Sequence, residues 1–175
     1  MQNFIIRITK KNFNLIAETV CQCFILPTIS AADFTLEFVQ KVHAAGKLVL
    51  AQGDDAVTFY QEYGLDGVLI DTVKEAAPQK MIEQVQKQIP QAVLGVISRN
   101  RRHEAMLVSE CEPDFVAFKV WNEGIEQTKE LLEWYNELFL IQSAAQIEDE
   151  AVDIAELTAD FVIVDDVKFE ANHAL

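Results

Sequence analysis

The sequence predicts an α/β fold, a compact (β/α)8 TIM barrel with parallel strands, and a repeated strand pattern is the main reason. Three segments each begin with an acid, continue through four apolar or glycine residues and end on a charge. They start 48 and 46 residues apart, at Asp66, Asp114 and Asp160. Two more short apolar runs, at 92–98 and 138–142, lie midway between them. A repeat of about 24 residues fits one strand, one helix and two short loops.

The segments between these strands have helical spacing. Apolar residues recur at intervals of three and four from Met81 to Ile89, and again from Ile125 to Tyr135. Near-continuous apolar strands that alternate with amphipathic helices are typical of a parallel sheet covered by helices. The remaining expected elements are strands at 4–8, 21–26 and 47–51, a short first helix within 9–20, and a helix at 31–45 capped by Ser30 and Asp33 and closed by Gly46.

The chain is expected to form a single domain, 1–175, which is short for this kind of barrel. Such barrels usually have about 250 residues, with a lower bound near 200. The last predicted strand ends near Val164, so the eighth helix is expected to be missing or rudimentary. An uncovered flank beside the eighth and first strands predicts a homodimer, because another subunit commonly buries such a surface. The alternative is that the tail and the short first helix cover it.

The composition excludes several classes of protein. Half of the 175 residues are apolar, too many for a disordered chain, and no uncharged run is long enough to span a membrane. With 28 acids against 14 bases the net charge is −14, so neither a nucleic-acid partner nor a membrane partner is expected. Three cysteines, an odd count, and no visible secretory signal at 1–7 favour a reduced, cytoplasmic protein.

Functional side chains are expected at the carboxyl ends of the strands, where barrels of this fold carry their active sites. Asp71, Lys119 and Asp165 occupy the same place in the repeat and should therefore lie in one layer at the barrel mouth. Two interpretations are open. The three side chains form a structural ion-pair network, or Lys119 anchors an anionic ligand or acts as a nucleophilic amine.

A second candidate is the segment Ser98–His103, which holds three of the four arginines. Ser98, Arg99, Arg101 and Arg102 lie at the predicted start of a helix, where guanidinium groups and helix N–H groups together favour an anion. The alternative is a solvated helix start that is paired to nearby acids.

The usual phosphate site of this fold is expected to be absent. That site uses glycines after the seventh and eighth strands, and this chain has no glycine after Gly124. Gln142, which follows the predicted seventh strand, is the ligand-binding candidate there. Eight acids and no base lie between Glu148 and Asp166, so the local charge also opposes a phosphate.

Asp54 and Asp55 are the candidates for a metal site. They follow the third strand and could hold Mg²⁺ together with Asp71, because carboxylate oxygens are the ligands that this ion prefers. Alternatively, Asp54 simply caps the next helix. No other cofactor is expected.

The order of segments from Lys47 to Asp166 resembles thiamine phosphate synthase and the related thiazole tautomerase. The similar stretches are 63–70, 94–98 and 112–118, around that family's fourth, fifth and sixth strands. The resemblance implies a barrel of this superfamily, with Asp54 or Asp55 in the place of a Mg²⁺ ligand and Ser98 in the place of a serine after strand five. Three features of the family are replaced in this chain. Residues 21–27 stand where the family has its phosphate-binding pattern after strand two. Ser143 and Ala144 replace its glycine pair after strand seven, and Asp71 replaces its glutamine after strand four.

Three functional hypotheses follow. The first is a divergent, non-catalytic barrel of this superfamily that binds a small-molecule ligand or a protein partner. The second is an active thiamine phosphate synthase-type transferase with Mg²⁺. The third is a Schiff-base lyase that uses Lys119. Because the first hypothesis is non-catalytic and the other two are enzymes, the sequence leaves open whether any catalysis remains.

Overall fold

The computed structural model describes residues 2–28 and 33–173. Eight parallel strands close into a barrel in chain order, and the last strand pairs with the first. The strands are β1 Asn3–Arg7, β2 Cys21–Pro27, β3 Leu48–Gln52, β4 Gly67–Asp71, β5 Val93–Ser98, β6 Phe115–Val120, β7 Gln142–Ile147 and β8 Phe161–Asp165. The helices are α1 Thr35–Ala44, α2 Ala56–Tyr63, α3 Pro78–Gln88, α4 Arg102–Glu110, α5 Ile125–Leu138 and α6 Asp166–His173. The predicted (β/α)8 barrel is confirmed.

Side chains alternate between the two faces of each strand, so the barrel has an inner and an outer core. The inner core fills the barrel axis with Ile5, Ile25, Leu50, Leu69, Ile97, Phe115, Ala117, Ala144 and Ile163. The outer core packs the other strand faces against the helices. Gly95 faces inward, and a glycine is required there because the Phe115 ring occupies the side-chain space: a Cβ would lie 2.2 Å from the ring.

The acid that opens each repeated strand segment has a structural role. Asp66, Asp114 and Asp160 lie just before β4, β6 and β8, and each carboxylate accepts a backbone N–H from the preceding strand. The donors are Val49, Leu94 and Ser143, at 2.7 to 2.8 Å. The acids therefore satisfy N–H groups at the amino-terminal rim of the barrel, opposite the mouth.

The predicted position of the seventh strand is wrong. The apolar run 138–142 contains the end of α5 and a loop, and β7 begins at Gln142. The strand is weakly apolar because Ala144 faces inward beside Phe161, and Phe115 and Phe161 already fill this level of the barrel. Small residues are therefore needed on β7, and a hydropathy pattern alone does not reveal a strand of this composition.

The short first helix is confirmed as a single 3₁₀ turn, Asn14–Ala17. Lys47 holds it in place: its buried ammonium donates to the carbonyl groups of Ile16 and Glu18, both at 2.6 Å. For α1, Ser30 lies outside the described residues, and the helix begins at Thr35, so the predicted capping box with Asp33 is not observed.

The eighth helix is present but short, and it covers part of the flank predicted to be open. Phe169 of α6 is buried and meets the ring of Phe4 edge to face, with ring centroids 5.3 Å apart. A groove of about 480 Å³ remains beside it, between α6 and the connection from β7 to β8. Within the described parts of the chain, no helix is long and apolar enough to cross a membrane.

The three cysteines are free thiols. An irregularity in the pairing of β1 with β2 separates Cys21, in the outer core, from Cys23, which packs on the inner core. Burial raises the pKa of the Cys21 thiol to about 11 and raises the pKa of Cys23 as well, so both are poor nucleophiles.

Candidate functional site

Six polar side chains form a ring at the barrel mouth. Each lies two residues beyond an inner-core residue of its strand, so each faces the barrel axis one level above the apolar filling. These mouth-ring residues are Arg7, Gln52, Asp71, Lys119, Gln146 and Asp165. Two cations and two anions leave the ring without formal net charge, in a chain that carries −14.

Asp71 and Lys119 form one ion pair of the ring. Lys119 Nζ lies 2.8 Å from Asp71 Oδ2, with 23% of the lysine side chain and 42% of the aspartate side chain exposed. The other oxygen of Asp71 accepts the N–H of Val73 at 2.9 Å, which fixes the start of the connection from β4 to α3. The pair is therefore oriented by the backbone and open to solvent on one side.

Asp165 belongs to a different pair. Arg7 donates from Nη1 to Asp165 Oδ1 at 3.1 Å and from Nε to Gln52 Oε1 at 3.0 Å. The structure thus places Asp71, Lys119 and Asp165 at one mouth, but Arg7 is the direct partner of Asp165. Sequence reasoning overlooked Arg7, although its position at the end of the first strand is the signal that places it there.

Asp166 fills the place beside β8 where barrels of this fold commonly bind phosphate. Its buried carboxylate accepts the backbone N–H groups of Thr9 and Lys10 at 2.9 and 3.3 Å, and the hydroxyl of Thr9 at 2.5 Å. An internal anion thus occupies donors that an external anion would need. The connection after β7 begins with Glu148, which adds negative charge.

The arginine segment separates into three roles. Arg99 donates from Nε to the carbonyl of Val73 and so holds the connection after β4. The guanidinium of Arg102 lies 5.2 Å from the ring centroid of Trp134. Arg101 is 75% exposed and lies 3.9 Å from Glu104, a carboxylate that is only 17% exposed and that also lies 3.8 Å from Arg99.

Arg99 and Arg101 border a shallow cavity of about 250 Å³ above β5 and β6, called here the mouth pocket. It is lined by Val73, Ser98, Arg99, Asn100, Arg101, Lys119 and Trp121. The indole of Trp121 is 45% exposed, and Ser98 is buried and donates to the Arg99 carbonyl. Asn100 donates to the carbonyl of Lys119 at 2.8 Å, which ties the two strand ends together.

The other predicted site residues lie elsewhere. Gln142 begins β7 and so lies at the amino-terminal end of the barrel, which removes it from the mouth. The error follows from the misplaced seventh strand. Asp54 and Asp71 border one groove between α2 and α3, but Asp71 is paired with Lys119. Asp55 is the N-cap residue of α2 without a side-chain cap bond, so the predicted cap by Asp54 is wrong.

The metal hypothesis gains no geometric support. Among residues 2–28 and 33–173, no three His, Cys, Asp or Glu side chains come together in a way that could hold a metal ion. Mg²⁺ usually keeps several waters and needs only one or two carboxylates, so a weak site at Asp54 and Asp55 remains a proposal.

No protein-family model and no curated protein matches this sequence. Solved structures do match it. An open form of tryptophan synthase from M. tuberculosis has a TM-score of 0.65 at 14% identity, covering 94% of this chain and 83% of that chain. The YdjI aldolase from Escherichia coli K12 has a TM-score of 0.70 at 9% identity, covering 93% and 75%. The fold is that of TIM-barrel proteins.

A third structure of this fold is a regulatory protein. The glycerol uptake operon antiterminator regulatory protein from Listeria monocytogenes has a TM-score of 0.56 at 13% identity, covering 91% of each chain. At such identities the likeness shows the fold alone, and the fold is shared by two enzymes and a regulatory protein.

Proposed function

We propose that this chain is a divergent, non-catalytic barrel of the thiamine phosphate synthase-like group that binds a small anionic molecule in the mouth pocket. The observation that carries the proposal is the pocket itself, where Lys119 and Arg101 stand beside the exposed indole of Trp121. Cations concentrated in a strongly acidic chain attract an anion locally, and an exposed indole offers an apolar face for the rest of the ligand.

The contacts of the mouth favour binding over catalysis. The amine of Lys119 forms an ion pair with Asp71 at 2.8 Å. A lysine in such a pair is an ammonium, which has no lone pair to attack a carbonyl group. A ligand anion, in contrast, can take the solvent-exposed side of the same ammonium.

Two enzymatic alternatives remain testable. An active synthase with Mg²⁺ at Asp54, Asp55 and Asp71 would convert aminopyrimidine diphosphate and thiazole phosphate to thiamine phosphate, and measurable turnover would contradict the proposal. A Schiff-base lyase would leave an adduct on Lys119 after borohydride reduction with small aldehydes or ketones. We expect neither product nor adduct.

The binding experiment uses Trp121 as its reporter. In a Trp134→Phe background the remaining indole lies in the mouth pocket, so propyl phosphate should change its emission and release heat in calorimetry. Arg101→Gln is expected to weaken binding several-fold, and Lys119→Met by about tenfold or more, because each removes a charged partner of the anion. Lys80→Met, an exposed lysine on α3, is the control and should bind like the parent.

The absence of both signals in the parent protein at millimolar propyl phosphate would contradict the proposed function. Equal affinity of the parent, Arg101→Gln and Lys119→Met would place the anion elsewhere. A reduced cytoplasmic location and a homodimer belong to the same proposal, and the assembly is taken up in the Discussion.

A further inference from the structure

A groove on the flank of the barrel shares no lining residue with the mouth pocket. It opens between α2 and α3, has a volume of about 390 Å³ and is called here the side groove. A volume of this size lies within the usual range of small-molecule sites, about 300 to 1,000 Å³. The residues of its apolar wall are Ala56, Val57, Ile70, Met81 and Val85.

This wall is aliphatic. Ala56, Ile70 and Val85 belong to the outer core, and Val57 and Met81 pack against that core while remaining partly exposed. In the described part of the chain, no aromatic ring lines the groove. An aliphatic wall favours an alkyl chain, because covering both removes apolar area from water. It lacks the rings that commonly bind quaternary ammonium groups.

The end of the side groove at the barrel mouth is acidic, because Asp54 and Asp71 border it. Both oxygens of Asp71 have partners: Lys119 Nζ lies 2.8 Å from Oδ2, and the N–H of Val73 donates to Oδ1 at 2.9 Å. Asp54 is exposed and has no hydrogen-bond or ion-pair partner among residues 2–28 and 33–173. Asp54 is therefore the carboxylate that can receive a cation beside the aliphatic wall.

We propose that the side groove binds a primary alkylammonium ion, with its alkyl chain against Val57 and Met81 and its ammonium group at Asp54. The two carboxylates at the entrance repel an alkyl anion of the same shape. A bare metal ion has no part that the aliphatic wall can cover, and a neutral alcohol makes no use of the charge. This is a second site, and it does not depend on anion binding in the mouth pocket.

The test labels the methionine methyl groups with ¹³C, because Met81 lines the side groove. Met106 on α4 is 46% exposed and lies outside the groove, so its resonance is the internal reference. Pentylammonium is compared at neutral pH with methylammonium, which keeps the charge, and with 1-pentanol, which keeps the chain. We expect pentylammonium to shift the Met81 resonance saturably and to bind about tenfold more tightly than either.

Two exposed acids provide a matched pair of variants. Asp54→Asn removes the charge with little change of shape, so pentylammonium should bind several-fold more weakly. Asp55→Asn removes the same charge one residue further on, at a position that does not line the groove, and should bind within about twofold of the parent. Val57→Trp should fill the groove and abolish the saturable shift.

Four outcomes would overturn the proposal. They are an unshifted Met81 resonance at millimolar pentylammonium, equal binding of methylammonium, equal binding of 1-pentanol, and an equal loss of affinity in Asp54→Asn and Asp55→Asn. If Val57→Trp fails to fold, as judged by circular dichroism, the comparison of Asp54→Asn with Asp55→Asn decides the matter. None of these outcomes changes the result expected with propyl phosphate, so the proposed function is tested separately.

Discussion

At the scale of single residues, the acids of the repeated pattern and the acids of the mouth have different roles. Asp66, Asp114 and Asp160 recur in the sequence because each holds a strand N–H at the amino-terminal rim. Asp71 and Asp165 end their strands and form ion pairs with Lys119 and Arg7 at the mouth. The repeat predicts both positions, but the first kind of contact joins neighbouring strands 17 to 20 residues apart, whereas the ion pairs join residues much farther apart in sequence.

The rim contact of Asp114 gives a prediction for stability. Asp114→Ala removes the acceptor of the Leu94 N–H, which is 2.7 Å from Oδ2, so we expect the free energy of unfolding to fall by about 1 kcal/mol. Asp114→Asn keeps an acceptor oxygen and should lose less. Urea unfolding measures the change, with Glu83→Ala on the exposed face of α3 as the control. Identical midpoints for Asp114→Ala and the control would contradict the role.

At the scale of elements, two connections depart from the regular unit for identifiable reasons. The first helical connection is reduced to the turn Asn14–Ala17, which hydrogen bonding from a buried ammonium stabilises. The seventh strand is displaced from the most apolar run because the large inner rings of Phe115 and Phe161 require alanine between them. Both departures follow from contacts between residues far apart in sequence.

Replacing Lys47 tests the first of these connections. In Lys47→Met the carbonyl groups of Ile16 and Glu18 lose their shared donor, and we expect the free energy of unfolding to fall by about 2 kcal/mol. Lys80→Met should leave it unchanged. Urea unfolding gives the difference, and faster hydrogen exchange confined to 14–20 would locate it. A Lys47→Met protein as stable as the control would show that the ammonium does not hold the turn.

At the scale of the whole molecule, closure of the barrel collects the mouth ring from six strands. The ring is neutral although the chain carries −14, so the surplus acids lie elsewhere. The terminal helix α6 covers part of the flank beside β1, and the groove of about 480 Å³ beside it is the surface left for a partner. We propose that a second copy of the chain occupies it.

Light scattering tests this assembly. A homodimer predicts a mass near twice the 19.8 kDa of one chain at micromolar concentration, decreasing toward one chain on dilution. We expect the homodimer to form because a second copy buries the apolar part of the groove, which includes Phe4 and Ile154. A single mass near 19.8 kDa across the whole concentration series would contradict it and would leave α6 as sufficient cover.

The sequence by itself determined the fold class, seven of the eight strand positions to within one residue or so, and the presence of Asp71, Lys119 and Asp165 at one mouth. These follow from periodicity, which is a local property of the chain. The tertiary structure alone decided which charges pair, where β7 lies, and that Gln146 Oε1 has no partner among residues 2–28 and 33–173. Such contacts depend on register and on side chains from strands distant in sequence, which pattern analysis does not determine.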